Sequence, residues 1–354
     1  MFSADDHRHM ARALQLTARG LYTTTPNPRV GCVIVKNNQI IGEGWHQRAG
    51  TAHAEIHALQ MAADAARDAT VYITLEPCSH HGRTPPCVDA LIQARVARVV
   101  AAMADPNPLV AGQGIQVLTQ AGIQAETGLM EAEARALNPG FISRMTRKRP
   151  WVRLKTASTL DGKTALANGQ SQWITGEAAR ADVQKLRARA CAILTGSGTL
   201  RIDNPRMTVR DFDIGRQPLR VVVDSKLRTS PSAAILPALI ACAISQPDAR
   251  AALTAAGAEI IELPDPHGRV DLAALMTELA RRGINEVHVE AGAALSGALL
   301  EAGLIDEWIA YIAPMALGHN ARGVFKHSPL DSLEDAARFC LQDVRQVGGD
   351  LRLT

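Results

Sequence analysis

The sequence predicts an α/β protein in two domains, and three observations carry that expectation. The chain has 354 residues, and at roughly 100–200 residues per domain this suggests about two. Strand-like runs alternate with helical stretches along the chain, the pattern of helices packed on a largely parallel sheet. The alternation breaks once, near residue 145. There Asn138-Pro139-Gly140 is followed by Arg144, Arg147, Lys148, Arg149 and Pro150. Turn residues before a run of like charge read as a solvated linker, with a nucleic-acid patch as the sharper alternative. The expected domains are 1–145 and 149–354.

In the first half, Met10–Arg19 reads as a helix. Gly31–Val35 and Gln39–Gly44 read as paired strands across the turn Asn37-Asn38. His53–Ala66, rich in Ala, Leu and Met, reads as a helix, and Val71–Leu75 alternates as a strand. Cys87–Ala94 is a helix with Pro85-Pro86 at its start, where proline fits best. Val96–Met103 is a strand, and Gly112–Ala121 a helix closed by Gly122. In the second half the strands are Val152–Ala157, Ala192–Leu194, Leu219–Asp224, Leu239–Ile244, Glu259–Leu263, Glu286–Glu290 and Glu307–Ala313. The helices are Ala178–Ala190, Leu272–Arg282 and Ala294–Glu301.

Composition narrows the function. Aromatic residues make up 3% of the chain and the formal charge is +3. Proteins that read nucleic acid by stacking need more rings, and no large basic surface is forced. The longest apolar stretch, Ala233–Ile244, is too short for a bilayer span and carries Pro237. The first residues, MFSADDHRHMARALQL, lack the basic region and apolar core of a signal peptide. The expectation is a soluble cytoplasmic protein. Cys32, Cys191 and Cys242 sit in apolar runs, as reduced buried cysteines do. Cys78 and Cys87 sit in a polar, Pro- and His-rich segment and need another explanation.

That explanation is metal. A zinc deaminase needs three protein ligands, one open position for water, and a glutamate outside the ligand set to carry a proton to the leaving amine. Its signature is H-x-E followed by P-C-x-x-C. His53-Ala54-Glu55, Pro77-Cys78 and Cys87 match the order, but eight residues separate the cysteines. The intervening loop can bulge outward if Cys78 ends a strand turn and Cys87 opens a helix, whose N-terminus favours thiolate. Other readings stand beside this one. His53 and His57 superficially suggest a zincin, but the glutamate is not adjacent to the first histidine, so His57 reads as a helix-face residue. His80 or His81 could replace a cysteine as ligand, although thiolates bind zinc well. A closed structural zinc site, in a non-catalytic binding protein, would want a fourth Cys or His. A nucleic-acid-editing (tRNA) deaminase with a C-terminal binding module fits the motif but not the low aromatic content or modest charge.

The second half carries no Rossmann fingerprint. Thr195-Gly196-Ser197-Gly198-Thr199 lacks the third glycine, and the loop Glu290–Gly297 has P-loop glycines without the lysine. Both loops still offer backbone N–H groups at helix starts, which suits phosphate.

TTTPNPRVGCVIV, HAEIHAL, TLEPCSHHGRTPPC and Ala104-Asp105-Pro106-Asn107-Pro108 together resemble the deaminase half of the bifunctional riboflavin-biosynthesis deaminase–reductases, whose own pattern has the eight-residue spacing. Leu154-Lys155, Asp161-Gly162-Lys163, Ser171-Gln172-Trp173-Ile174-Thr175, Asp203-Asn204-Pro205, Thr208-Val209-Arg210, Val223-Asp224-Ser225 and Val289-Glu290 resemble its reductase half. The resemblance implies an N-terminal cytidine-deaminase-like α/β/α domain and a C-terminal dihydrofolate-reductase-like α/β domain. It implies zinc-dependent deamination of a diaminopyrimidinone bearing a ribosylamino 5′-phosphate, then NADPH-dependent reduction of the ribosyl group to ribityl, with a homodimer as the assembly. It places zinc on His53, Cys78 and Cys87 and the proton shuttle on Glu55. Substrate contacts map to Asn27, Ser171, Arg187, Met207, Arg210 and Glu290. NADPH contacts map to Ala157, Trp173, Thr199, Asp203, Ser225, Gly292, Ala293, Ala294, Leu295, Ser296, Gly297 and Ala298. Guanidinium forks suit Arg187 and Arg210 to clamping the substrate phosphate. Lys155 and Asp161 flank the expected cleft and could steady an imine or relay a proton.

Overall fold

The computed structural model describes residues 1–79, 85–108 and 110–354. They form two compact units, Met1–Lys148 and Arg149–Thr354. Among the described residues, no helix is long and apolar enough to cross a membrane.

The first unit runs α1 (Ala4–Ala18), β1 (Gly31–Lys36), β2 (Gln39–Trp45), α2 (Ala54–Ala62), β3 (Thr70–Ile73), α3 (Cys87–Gln93), β4 (Arg98–Ala101), α4 (Gln113–Gln120), β5 (Gln124–Thr127), α5 (Glu131–Leu137) and α6 (Pro139–Arg147). Its sheet order is β2-β1-β3-β4-β5. β1 is antiparallel to both neighbours, and β3, β4 and β5 are parallel. The period-two pattern of β1 explains the layers. Cys32 and Ile34 face one core with α2 and α3, while Val33 and Val35 face the other with α1. Asn37 and Asn38 make the β1–β2 turn with φ of 52° and 62°, the left-handed pair a tight hairpin needs.

Two differences from the sequence reading have clear causes. Helix α1 begins at Ala4 rather than Met10, because Ser3 and Asp6 form a reciprocal capping box. The segment read as a linker is helical through Arg147. Its start is fixed by Asn138, whose side chain accepts from the Arg29 N–H and donates to the Arg29 carbonyl, both at 2.8 Å. Pro139 then occupies the first helical turn, where its missing N–H costs nothing.

The second unit runs β6 (Trp151–Thr159), β7 (Lys163–Ala165), α7 (Glu177–Arg189), β8 (Ala192–Gly196), α8 (Ser197–Asp203), β9 (Leu219–Val223), β10 (Leu239–Cys242), α9 (Pro247–Ala255), β11 (Glu259–Glu262), α10 (Leu272–Arg281), β12 (Glu286–Glu290), α11 (Ala293–Glu301), β13 (Glu307–Ala313), β14 (Arg322–Gly323), β15 (Val344–Val347) and β16 (Asp350–Leu353). The nine-stranded sheet has the order β11-β10-β9-β8-β12-β6-β13-β16-β15. The seven strands read from sequence form its parallel part, and the hairpin β15–β16 adds antiparallel to β13. Val152, Leu154, Val287 and Val289 fill one core. The alternate residues of the same strands are charged. Arg153 is fully buried and reaches Glu286 at 3.1 Å and Glu307 at 2.8 Å, and Arg189 of α7 reaches Glu286 at 2.9 Å.

Candidate active sites

The first site is built by close packing of α2 on β2. A Cβ on Gly42 would lie 2.3 Å from the Ala58 carbonyl, and one on Gly44 would lie 2.2 Å from the Ala54 carbonyl. The helix therefore sits against bare backbone, with His53 as its N-cap residue and Glu55 in its first turn. From the other side, β3 leads into the turn carrying Cys78, and Cys87 opens α3. The ligand atoms of His53, Cys78 and Cys87 all lie within 4.8 Å of one another. His53 Nδ1 is 3.2 Å from Cys87 Sγ and 3.6 Å from Cys78 Sγ. Cys78 Sγ also accepts the Cys87 N–H at 3.3 Å. One imidazole nitrogen and two sulfurs are the donor set zinc prefers, with a tetrahedral position left over.

Electrostatics fit the same use. The hydrogen bond from the Cys87 thiol draws Cys78 down to about 4 and pushes Cys87 up. Burial, then the Cys78 thiolate, push the Glu55 carboxyl up to about 7. Glu55 is 2% exposed, and among the described residues its Oε2 has no hydrogen-bond partner. A buried carboxylate oxygen without a partner is costly, and it fits a proton-handling role at this site. His57 lies within α2, half-buried, and is not among the three clustered ligands. His80 and His81, the rival ligands, lie outside the described residues.

Asn27 donates its side-chain N–H to His46 Nε2 at 3.1 Å, and the other ring nitrogen of His46 meets the Ala52 carbonyl at 3.2 Å. Nδ1–H toward the carbonyl leaves Nε2 as acceptor, which fixes the orientation of the Asn27 amide. His46 is 2% exposed and its ring meets the His53 ring edge-on at 5.3 Å. The sequence reading missed His46. Its only local signal is a histidine just after a strand, seven residues before His53.

In the second unit most of the assigned residues gather where strands β6, β8, β9 and β12 end, the edge at which open α/β sheets bind ligands. Gly196 caps α8 and Gly292 caps α11. A Cβ on Gly196 would touch Leu295 at 3.4 Å, and one on Gly292 would come within 4.0 Å of Thr199 Oγ1. The two glycine loops are thus neighbours on adjacent strands, each at a helix start. Ala293, Ala294 and Ala298 lie along α11 with Leu295. Ser296 and Gly297 are buried instead, Gly297 against the Lys326 carbonyl. Asp203 accepts from Gln172 at 3.2 Å, and Ser225 Oγ accepts the Val270 N–H at 3.2 Å. Ala157 and Ser171 are half-buried. Trp173 is 69% exposed, with the Arg180 guanidinium 4.5 Å over its ring, so it is no core residue.

Four residues assigned to the second site differ in their surroundings. Arg187 is not a free phosphate clamp. It grips Glu290 through two bonds of 2.5 and 2.9 Å, donates to the Thr208 carbonyl at 3.2 Å, and rests on Met207 Sδ at 3.7 Å. Arg210 is exposed, and among the described residues its guanidinium makes no hydrogen bond or ion pair. Asp161 accepts from the Thr159 hydroxyl, from Gly318 at 2.8 Å and from Leu317 at 3.2 Å. Those bonds, the Thr159 one first, hold its carboxyl below the usual range. Asp161 bolts a loop and is not poised to relay a proton. Lys155 pairs in register with Glu290, and burial pushes its ammonium down while the Glu290 carboxylate opposes this.

Comparison with known proteins finds a family for each of the two units. Residues 3–103 match the family model of the cytidine and deoxycytidylate deaminase zinc-binding region, and residues 150–353 match the RibD C-terminal domain. The chain is 51% identical to the riboflavin biosynthesis protein RibD of Escherichia coli, covering 98% of both chains. Among solved structures, Acinetobacter baumannii RibD is 45% identical with a TM-score of 0.91, covering 99% of this chain and 98% of that one. A Thermotoga maritima diaminohydroxyphosphoribosylaminopyrimidine deaminase/5-amino-6-(5-phosphoribosylamino)uracil reductase is 33% identical with a TM-score of 0.86, covering 99% and 97%.

Proposed function

The chain belongs to the RibD family of riboflavin biosynthesis proteins, and from that premise we propose that it deaminates a phosphoribosylaminopyrimidine in its first domain (1–148) and reduces the product in its second (149–354). The observation that carries the deaminase is the cluster of His53, Cys78 and Cys87 beside the buried carboxylate of Glu55, whose Oε2 has no hydrogen-bond partner among the described residues.

A zinc ion held by those three side chains would lower the pKa of a water to about 7. Glu55 is placed to take a proton from the attacking water and return it to the departing amine, so that C–NH2 would become C=O and ammonia would leave. Its raised affinity for protons suits both halves of the task. Asn27 Oδ1, steadied through His46, accepts from the pyrimidine ring. In the second domain the Gly196–Thr199 and Gly292–Leu295 loops would hold NADPH. When bound it would supply the hydride that reduces C1′ of the ribosylamine in its imine form, with a proton going to the nitrogen. Arg210 binds the substrate phosphate, and Glu290, braced by Arg187, orients the sugar. The protein is cytoplasmic and works as a homodimer.

Incubation with the diaminopyrimidine phosphate tests both steps by mass spectrometry. Without NADPH the substrate should gain about one mass unit as NH is exchanged for O. With NADPH it should gain about two more. An unchanged substrate would refute the first reading; a product that shifts once and never again would refute the second. The nucleic-acid-editing alternative is not favoured, since the second half matches a reductase model and not a binding module.

A further inference from the structure

Glu76 stands two residues before Cys78 and is 5% exposed. Its carboxylate accepts four backbone N–H groups. Oε2 takes those of Asp105 and Gly112, both at 2.9 Å, and Oε1 takes those of Gly114 at 2.8 Å and Ile115 at 3.3 Å. Gly114 and Ile115 are in the first turn of α4, and Gly112 is its N-cap residue. An N-cap residue usually supplies its own side-chain oxygen to the free N–H groups there. Gly112 has none, and Glu76 supplies it from 36 residues earlier in the chain.

The two partners are in direct contact as well. A Cβ on Gly114 would lie 2.2 Å from the Pro77 carbonyl and 3.2 Å from Glu76 Cγ. The start of α4 therefore rests on the peptide that presents Cys78. On its other side, Cys78 is held by α3, since its carbonyl accepts the Val88 N–H at 3.3 Å and its sulfur accepts the Cys87 N–H at 3.3 Å.

We propose that Glu76 is a positioning residue of the metal site: by capping α4 and tying the loop at Asp105 to the Cys78 turn, it sets the geometry of the Cys78 ligand. This rests on the zinc-deaminase reading above. Glu76 touches neither the metal position nor substrate. Groups that orient metal ligands from outside the ligand set commonly change metal affinity or activity by roughly 10–100-fold when altered.

Glu76→Gln turns an all-acceptor group into one that aims N–H at N–H. Gly114→Ala leaves Glu76 intact but pushes α4 off the Cys78 turn, so the test survives if one variant folds poorly. Full-length wild-type and variant proteins would be titrated with a chelator to measure zinc affinity, and both activities would be assayed on the same samples. Zinc affinity and deaminase kcat should each fall by roughly 10–100-fold in both variants. Deaminase KM should change little, and reductase kcat and KM should stay at wild-type values. Wild-type zinc affinity and deaminase kcat in both variants would overturn the inference alone. A wild-type protein that takes up no zinc would overturn the metal-site reading itself, and the inference with it.

Discussion

Gly44→Ala adds one methyl group on the strand beneath α2, and the structure says what it meets. The new Cβ would lie 2.2 Å from the Ala54 carbonyl, 2.7 Å from the Ala58 nitrogen and 2.8 Å from His57 Cβ. Two of these are helix backbone and cannot rotate away, so the start of α2 must retreat by about 1 Å to reach ordinary contact. That segment carries His53 and Glu55. Overpacking of this kind costs about 1–3 kcal/mol. At about 4 °C per kcal/mol for a domain of this size, the first domain should melt about 4–12 °C lower. Activity should suffer more than stability, because a misplacement near 1 Å costs on the order of 100-fold in rate. Deaminase turnover and NADPH oxidation would be measured on one preparation below the melting point. We expect deamination to fall about 100-fold with reduction unchanged. Deaminase kcat within about threefold of wild type would refute the argument that the glycines place the catalytic helix.

Glu55→Gln keeps the shape of the buried side chain but cannot carry a proton. Deaminase kcat should drop by about 100–10,000-fold, with zinc content and reductase kinetics intact; measurable turnover near wild type would remove Glu55 from the proton path. Arg153→Met removes the shared cation of Glu286 and Glu307, although Arg189 and the Trp151 N–H remain for them. Because these partners persist, we expect the low end of the buried-pair range, about 3 kcal/mol. Calorimetry should show the second domain melting about 6–12 °C lower, and no shift would mean the ionic chain adds nothing. For Asp6, burial pushes its carboxyl up, but Arg98, the Ser3 N–H and the Tyr72 and Ser3 hydroxyls pull it well below the usual range. A depressed carboxylate contributes stability above its unfolded pKa of about 3.9 and loses it as pH falls toward the folded value. The stability gap between wild type and Asp6→Asn should be flat above about pH 5 and shrink below about pH 4. A gap independent of pH would contradict the assignment.

The metal cluster was legible because its chemistry admits few substitutes. An imidazole, two sulfurs and a carboxylate in that order carry their purpose in their types. The parallel strands of the second domain were legible because each carries apolar residues, either in a run or in alternation, over the length of a strand. What escaped reading was held by distant partners. Nothing near Asn138 in sequence announces that Arg29, 109 residues away, will fix it as the start of a helix. His46 and Glu76 are single polar residues whose roles exist only once the chain has closed around them. The hairpin β15–β16 has strands of only four residues each, half of them exposed, too short for periodicity to set them apart from a loop.

Arg187 shows the same limit from the opposite direction. Its residue type is right for a phosphate, and in isolation a guanidinium near a ligand-binding edge invites that role. The fold gives it a carboxylate first. Glu290 sits at the end of β12, buried enough that an unpaired charge there would be costly. Arg187 supplies the counter-charge in two bonds, and Glu290 is held well below the ordinary carboxyl range although burial alone would raise it. A carboxylate fixed as an acceptor can bind sugar hydroxyls without taking up a proton at neutral pH. The pair therefore makes the end of β12 a directional acceptor, while the Arg210 guanidinium stays exposed with no hydrogen bond or ion pair among the described residues.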